Sequence, residues 1–197
     1  LRPPCSRAAR YDFFTGSELD FLLGLARGID RLNGGVGRAV KWLVLLATLV
    51  SAGNALMRYG FDLSSNAWLE LQWYLFALIF LLGAGYTHQH NGHVRIDVLY
   101  GRFSPRARAW VDLLGGLLFL LPMAGLVGWL GWHAFMTSWG VNETSPDAGG
   151  LLRWPIKLAI PLGFGLLFLQ GLSEIIKRAA FLTGRLELAE EQAEEVV

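Results

Sequence analysis

LLGGLLFLLPMAGLVGWLGWHAFM, Leu113–Met136, decides the fold. It contains no Asp, Glu, Lys or Arg. At 1.5 Å rise per residue it is long enough to cross a bilayer core of about 30 Å. In lipid the backbone must satisfy its own hydrogen bonds, so the stretch reads as a helix, and Pro122 within it reads as a kink rather than a stop. Working outward, three more segments have the same character: Ala39–Met57, Ala67–Thr87 and Pro155–Ile176, the last carrying Pro161. Ser104 and Pro105 form a cap and first-position pair, so the third helix is expected to begin well before Leu113. The reading is an all-α integral membrane protein whose four transmembrane helices form one domain over residues 39–180.

Composition agrees. Of the 197 residues, 53% are apolar and 17% charged, against roughly 25% charged in a soluble domain. The charges crowd into the two ends and the connections. A net charge of +1 makes no case for nucleic acid. The lone cysteine, Cys5, can build neither an intrachain disulfide nor a metal cluster. Residues 1–38 show no signal-peptide core followed by a small-residue cleavage site, and read as a cytoplasmic N-terminal segment. Trp42, Trp68, Trp73, Trp129, Trp132, Trp139 and Trp154 lie mostly near segment ends, as interfacial aromatic belts do.

Basic residues set the orientation. Fourteen fall on one side: seven up to Lys41, four between the second and third segments (Arg95, Arg102, Arg106, Arg108), and Lys177, Arg178 and Arg185. Only Arg58, Arg153 and Lys157 fall on the other. Both ends are therefore expected in the cytoplasm, with outer loops near 58–66 and 138–154. Before the first span, Leu22, Leu25, Ile29, Leu32 and Val36 recur at helical steps, with Ser17 and Asp20 resembling a capping box. Residues 17–37 read as an amphipathic helix on the cytoplasmic membrane surface, with packing on a partner protein as the alternative. Residues 181–197 read as an acidic cytoplasmic tail.

Polar groups near the bilayer need a reason. Asn54 and Arg58 share one face at the outer end of the first helix, and Glu70 and Gln72 open the second from the same side. Arg58 and Glu70 lie at similar depth and can pair. Such a pair either lines an ion path or fixes helix packing and grips a partner subunit, and the apolar helix centres favour the second. Gln170, Ser173 and Glu174 lie toward the inner end of the fourth helix, where Glu174 has helical spacing to Lys177 and Arg178. Lys157, one turn into that helix, can snorkel outward. His88, His90 and His93 raise the idea of a metal site, but Asn91-Gly92 reads as a turn and no metal is assigned. A haem between His88 and His133 is excluded by depth, because they sit about 30 Å apart on opposite sides of the membrane. No nucleophile elbow, P-loop or zinc-protease motif occurs, so no catalytic residue and no cofactor is expected.

Four stretches in order carry a family resemblance: NALMRYGF (54–61), AWLELQWYLFALIFLLGAGYT (67–87), GHVRIDVLY (92–100) and ETSPDAGGLLRWPIKLAIPLGF (143–164). Together they resemble the small membrane subunit of tripartite ATP-independent periplasmic (TRAP) transporters, the DctQ-like family. The last stretch is similar to the branch labelled mannitol/chloroaromatic-type. Many members carry two adjacent acidic residues early in helix two, whereas this chain has Glu70-Leu71-Gln72. The resemblance implies a subunit in the bacterial inner membrane. There a periplasmic solute-binding protein captures an organic acid or related solute, and a large membrane subunit moves it inward on an ion gradient. The small subunit supports the large one. In that setting Asn54, Arg58, Glu70 and Gln72 are packing or subunit-interface residues. Gly92, His93, Arg95 and Asp97 order the cytoplasmic loop against phospholipid or the partner, and Glu143, Lys157 and Pro161 shape the outer loop and fourth helix. A membrane anchor of a redox complex is the alternative.

Overall fold

The computed structural model describes residues 16–63, 65–92, 100 and 102–184. Four helices carry the chain: α1 (Gly16–Phe61), α2 (Asn66–Gln89), α3 (Pro105–Gly140) and α4 (Trp154–Leu182). Each is long and apolar enough to cross a membrane. Apart from one bridge between Thr144 and Leu152, all regular structure among the described residues is helical.

Local chemistry sets the helix ends. The Ser104 hydroxyl accepts from the Ala107 amide at 3.4 Å, and Pro105 follows in the first turn, so α3 starts where the cap predicts. Just past each helix the chain turns through positive φ, at Asp62, Asn91, Asn142 and Gly184. Aspartate, asparagine and glycine are the residues that tolerate this conformation. Within α3 the turn Gly116–Leu120 is a π turn, with the Leu121 amide donating to the Gly116 carbonyl. Pro122 follows directly. It has no N–H for the Leu118 carbonyl and its ring crowds that group, so a wider turn relieves the conflict.

α1 departs from the expectation of two elements. The segment 17–37 is helical, but it continues into the first span as a single helix of 46 residues. At 1.5 Å per residue that is about 69 Å, more than twice the apolar thickness of a bilayer. The glycines at 34, 35 and 37 do not break it. Gly37 lies against Tyr86, where a Cβ would come within 2.2 Å of the ring. The buried seam of α1 lies beside the apolar stripe read from the sequence. Leu19, Ala26, Asn33, Val40 and Ala47 are buried at seven-residue steps, the spacing of a packed helix seam. Ile29 belongs to that seam, while Leu25 and Leu32 of the apolar stripe face outward, 44% and 49% exposed. Small residues let helices approach closely, while large apolar side chains can face lipid without penalty.

α4 is the hub, packing against all three other helices. Its contacts are close because glycines stand at the crossings. A Cβ on Gly163 would lie 2.6 Å from the Leu81 carbonyl oxygen of α2. On the other side, a Cβ on Gly131 of α3 would lie 2.6 Å from Ile160 and 3.3 Å from the Pro161 ring. Pro161 sits inside an unbroken α4.

These contacts predict a contrast on one helix. Gly163→Ala should destabilise the bundle by about 1–3 kcal/mol, because backbone cannot move aside as a side chain can. Gly165→Ala, whose Cβ meets nothing within 4 Å, should be neutral or stabilising by up to about 1 kcal/mol. Thermal unfolding of both variants in detergent reads the difference.

Candidate functional site

The polar side chains gather at two depths. At the outer level, Glu70 in the first turns of α2 grips the loop between α3 and α4. Its carboxylate accepts from the Ser145 hydroxyl and from the Leu151 amide at 2.6 Å. Gly150 allows this, since a Cβ there would lie 2.9 Å from the same carboxylate and closer still to Ser145. Two more α2 side chains hold the loop: Asn66 donates to the Ala148 carbonyl and the Tyr74 hydroxyl to that of Leu152, both at 3.0 Å. From the α4 side, Lys157 forms an ion pair with Glu143, and the Arg153 amide donates to the Glu143 carbonyl at 2.8 Å. The Lys157 ammonium holds the Glu143 carboxyl below the usual carboxylate range.

This corrects the expected Arg58–Glu70 pair. Glu70 is occupied by the loop, and Arg58 projects from the last turn of α1, exposed, with its guanidinium 6.0 Å from the Tyr59 ring centre. Matching depth suggested a partner for Glu70, but neutral donors 75 and 81 residues away supply it. Asn54 and Gln72 do meet: the Asn54 amide donates to Gln72 at 3.3 Å, and Gln72 bonds onward to Ser51. This links α1 to α2 just inside the outer surface.

At the inner level, α1 and α4 share a buried network only half visible in the sequence. Asn33, Gln170 and Ser173 are fully buried. Asn33 donates to Gln170 at 2.9 Å, and Gln170 and Ser173 both donate to one Asp30 oxygen at 2.8 Å. Lys177 reaches the other Asp30 oxygen at 3.3 Å and also pairs with Glu174, the helical pair expected. The Asn33 carbonyl oxygen lies against Gly85, where a Cβ would approach to 2.3 Å. In the sequence Asp30 reads only as a charge off the apolar stripe of residues 17–37, and Asn33 carries no local mark that distinguishes it. The signal for Asn33 is its position in the seven-residue series 19, 26, 33, 40, 47.

The inner ends of α2, α3 and α4 hold a second ionic group. Arg178, 5% exposed, lies 3.3 Å from Asp112, to which the Tyr100 hydroxyl also donates at 2.7 Å. His88 lies beside it in the last turn of α2, while His133 lies on the outer part of α3, its Nδ1 3.0 Å from the Trp129 carbonyl. Gly92 closes α2 by donating to the Thr87 carbonyl at 2.9 Å. His93, Arg95 and Asp97 lie outside the described residues.

Two tests follow at the outer level. Glu70→Ala should release the loop, read as faster hydrogen exchange at the Leu151 amide, while Arg58→Ala should leave that amide unchanged. The Glu143–Lys157 bridge should have a signed pH dependence. A lowered carboxyl stabilises the fold above its ordinary value near 4.5, and that contribution disappears as pH falls through the lowered value. Fluorescence of Trp139 and Trp154, whose ring centres are 4.3 Å apart, reports on loop closure. The acid transition should move to higher pH in Lys157→Met.

Comparison with known proteins places this geometry. The chain is 29% identical over 134 residues to the C4-dicarboxylate TRAP transporter small permease protein DctQ of Pseudomonas aeruginosa, covering 66% of this chain and 61% of that protein. It is 29% identical over 82 residues to a TRAP transporter small permease protein of Haemophilus influenzae, covering 42% of this chain and 50% of the relative. The matched region thus spans less than two thirds of either relative's length. No solved structure matches. The sequence profile of the DctQ component of tripartite ATP-independent periplasmic transporters matches residues 46–181, from the outer half of α1 to the end of α4. This four-helix membrane protein belongs to the DctQ family of TRAP transporter components.

Proposed function

We propose that the chain is the non-transporting small subunit of a binding-protein-dependent, ion-gradient-driven transporter in the bacterial inner membrane, with an organic acid as its solute class. One observation carries this reading: between the two polar levels the four helices carry almost no polar side chain. Leu75–Ala84 of α2, Leu113–Trp132 of α3 and Leu158–Leu169 of α4 contain no ionisable or amide side chain. Over Trp42–Val50 of α1 the only polar group is Thr48, whose hydroxyl is bonded to the Val44 carbonyl at 2.9 Å. A solute or ion path needs polar groups at mid-membrane. A bundle tied at both levels and apolar between them is suited to be a fixed support for a larger moving subunit.

The organic-acid class rests on the Pseudomonas relative, which is named for C4-dicarboxylates. The likeness of residues 143–164 to the mannitol/chloroaromatic branch keeps a related solute in view. In this reading Arg58 and the exposed face of α1 around Asn54 meet the large subunit, and the segment carrying His93, Arg95 and Asp97 meets headgroups or that subunit from the cytoplasm. The chemistry is transport support rather than catalysis, and a redox-anchor role has no observation in its favour.

Reconstitution tests the proposal. Liposomes holding this chain alone should show no solute uptake. Uptake should require the large membrane subunit and the periplasmic binding protein together with an ion gradient. Uptake by the chain alone would overturn the reading. Arg58→Glu should weaken co-purification with the large subunit while leaving the helical content of the isolated chain unchanged.

A further inference from the structure

Arg38 and Lys41 of α1 stand together over the inner end of α2, around Tyr86. The Tyr86 ring lies against Gly37, where a Cβ would come within 2.2 Å of it, so the two helices touch here. Lys41 holds its ammonium 5.9 Å from the centre of that ring. One turn further along α2, the His90 ring lies 4.2 Å from the Tyr86 ring, centre to centre, and its Nδ1 is 3.0 Å from the Tyr86 carbonyl. Arg38 completes the group. A Cβ on Gly34 would lie 4.0 Å from Arg38 Nη1 and equally far from Gln89 Oε1, so the guanidinium leans toward α2 across the junction.

Both cations are exposed, and among the described residues neither pairs with a carboxylate. Asp30, two turns before Arg38 on α1, is taken up by Lys177, Gln170 and Ser173. Like charges one turn apart on a helix repel, and an anion between them removes that cost. The depth is that of lipid headgroups: α2 ends at Gln89, and α1 enters its apolar span at Trp42. Leu45 and Leu49 follow Lys41 at one-turn steps, apolar and exposed. A matching occupant is therefore an anion on an apolar body. Phosphate oxygens accept from both guanidinium and ammonium. A choline or ethanolamine headgroup brings its own cation up to Arg38 and Lys41, and a glycerol headgroup brings none. A free phosphate leaves Leu45 and Leu49 uncovered.

We propose that this junction binds an anionic phospholipid of the inner leaflet, of the phosphatidylglycerol type. Its phosphodiester sits between Arg38 and Lys41 beside Tyr86, and an acyl chain follows Leu45 and Leu49. The site is independent of the transport reading and stands or falls apart from it.

Native mass spectrometry of the full chain tests this, after release from nanodiscs of equal phosphatidylglycerol, phosphatidylethanolamine and phosphatidylcholine. A basic residue at a membrane surface favours an anionic lipid by about five-fold, so the wild type should retain phosphatidylglycerol by at least about ten-fold over either other lipid. Arg38→Gln/Lys41→Gln should bring that preference below about two-fold while keeping the helical content. Arg102→Gln/Arg106→Gln removes the same charge from the start of α3 and should leave the preference intact, which separates this junction from general attraction to basic residues. Glycerophosphoglycerol, the headgroup without chains, should not compete at millimolar concentration. Equal retention of the three lipids, preference for phosphatidylethanolamine, no retained lipid, full competition by the soluble diester, or an equal loss in Arg102→Gln/Arg106→Gln would each overturn the proposal. If the Arg38→Gln/Lys41→Gln variant does not fold, the single substitutions decide it: Arg38→Gln and Lys41→Gln should each lower the preference, and Lys41→Arg should keep it.

Discussion

The Gly163–Leu81 crossing holds α4 against the backbone of α2, and the rest of the bundle is arranged around it. Lipid provides little hydrophobic drive between helices, so association depends on close fit and on hydrogen bonds that cross from one helix to another. With α4 seated this closely, Gln170 comes within reach of Asn33, and Ile160 and Pro161 come to lie on Gly131. A side chain at any of these crossings separates more than one pair of helices, because all three contacts share α4.

The two polar levels follow from the same constraint. A polar group in the hydrocarbon region must find its partner within the protein. Here the ionisable and amide side chains that bond between helices do so at two levels, toward the helix ends. The outer level joins α2, α4 and the loop between α3 and α4 through Glu70, Glu143 and Lys157. The inner level joins α1 to α4 through Asp30 and Gln170, and α3 to α4 through Asp112 and Arg178. Such a bundle resists sliding of one helix along another, since a shift of one turn, about 5.4 Å, breaks the hydrogen bonds at both ends. That stiffness suits a support and is at odds with a carrier.

α1 extends this logic beyond the membrane. It packs on its neighbours through a narrow seam that includes Leu19, Ala26, Asn33, Val40 and Ala47, leaving Phe21, Leu25, Leu32 and Trp42 outward. The DctQ profile matches from residue 46, and α1 begins 30 residues before that, at Gly16. The Asp30–Gln170 network is nevertheless built on that extension, which binds it firmly to the core of the fold.

Four helices and their approximate spans were legible in the sequence. These depend on local quantities: segment length, hydropathy and a Ser-Pro cap. The helical pair Glu174–Lys177 was equally local. What the tertiary structure alone decided was which polar groups meet. Glu70 was expected to pair with Arg58 because they share a depth, but its partners, Ser145 and the Leu151 amide, come from a loop that returns to α2 only after α3 has crossed. The seam by which residues 17–37 pack on the other helices lies beside the apolar stripe read from the sequence, because in lipid the most apolar face need not be the buried one. Asn33 marks the difference: along the chain it is a single amide on a helix, and its burial is explained only when Gly85 and Gln170 close around it from two other helices.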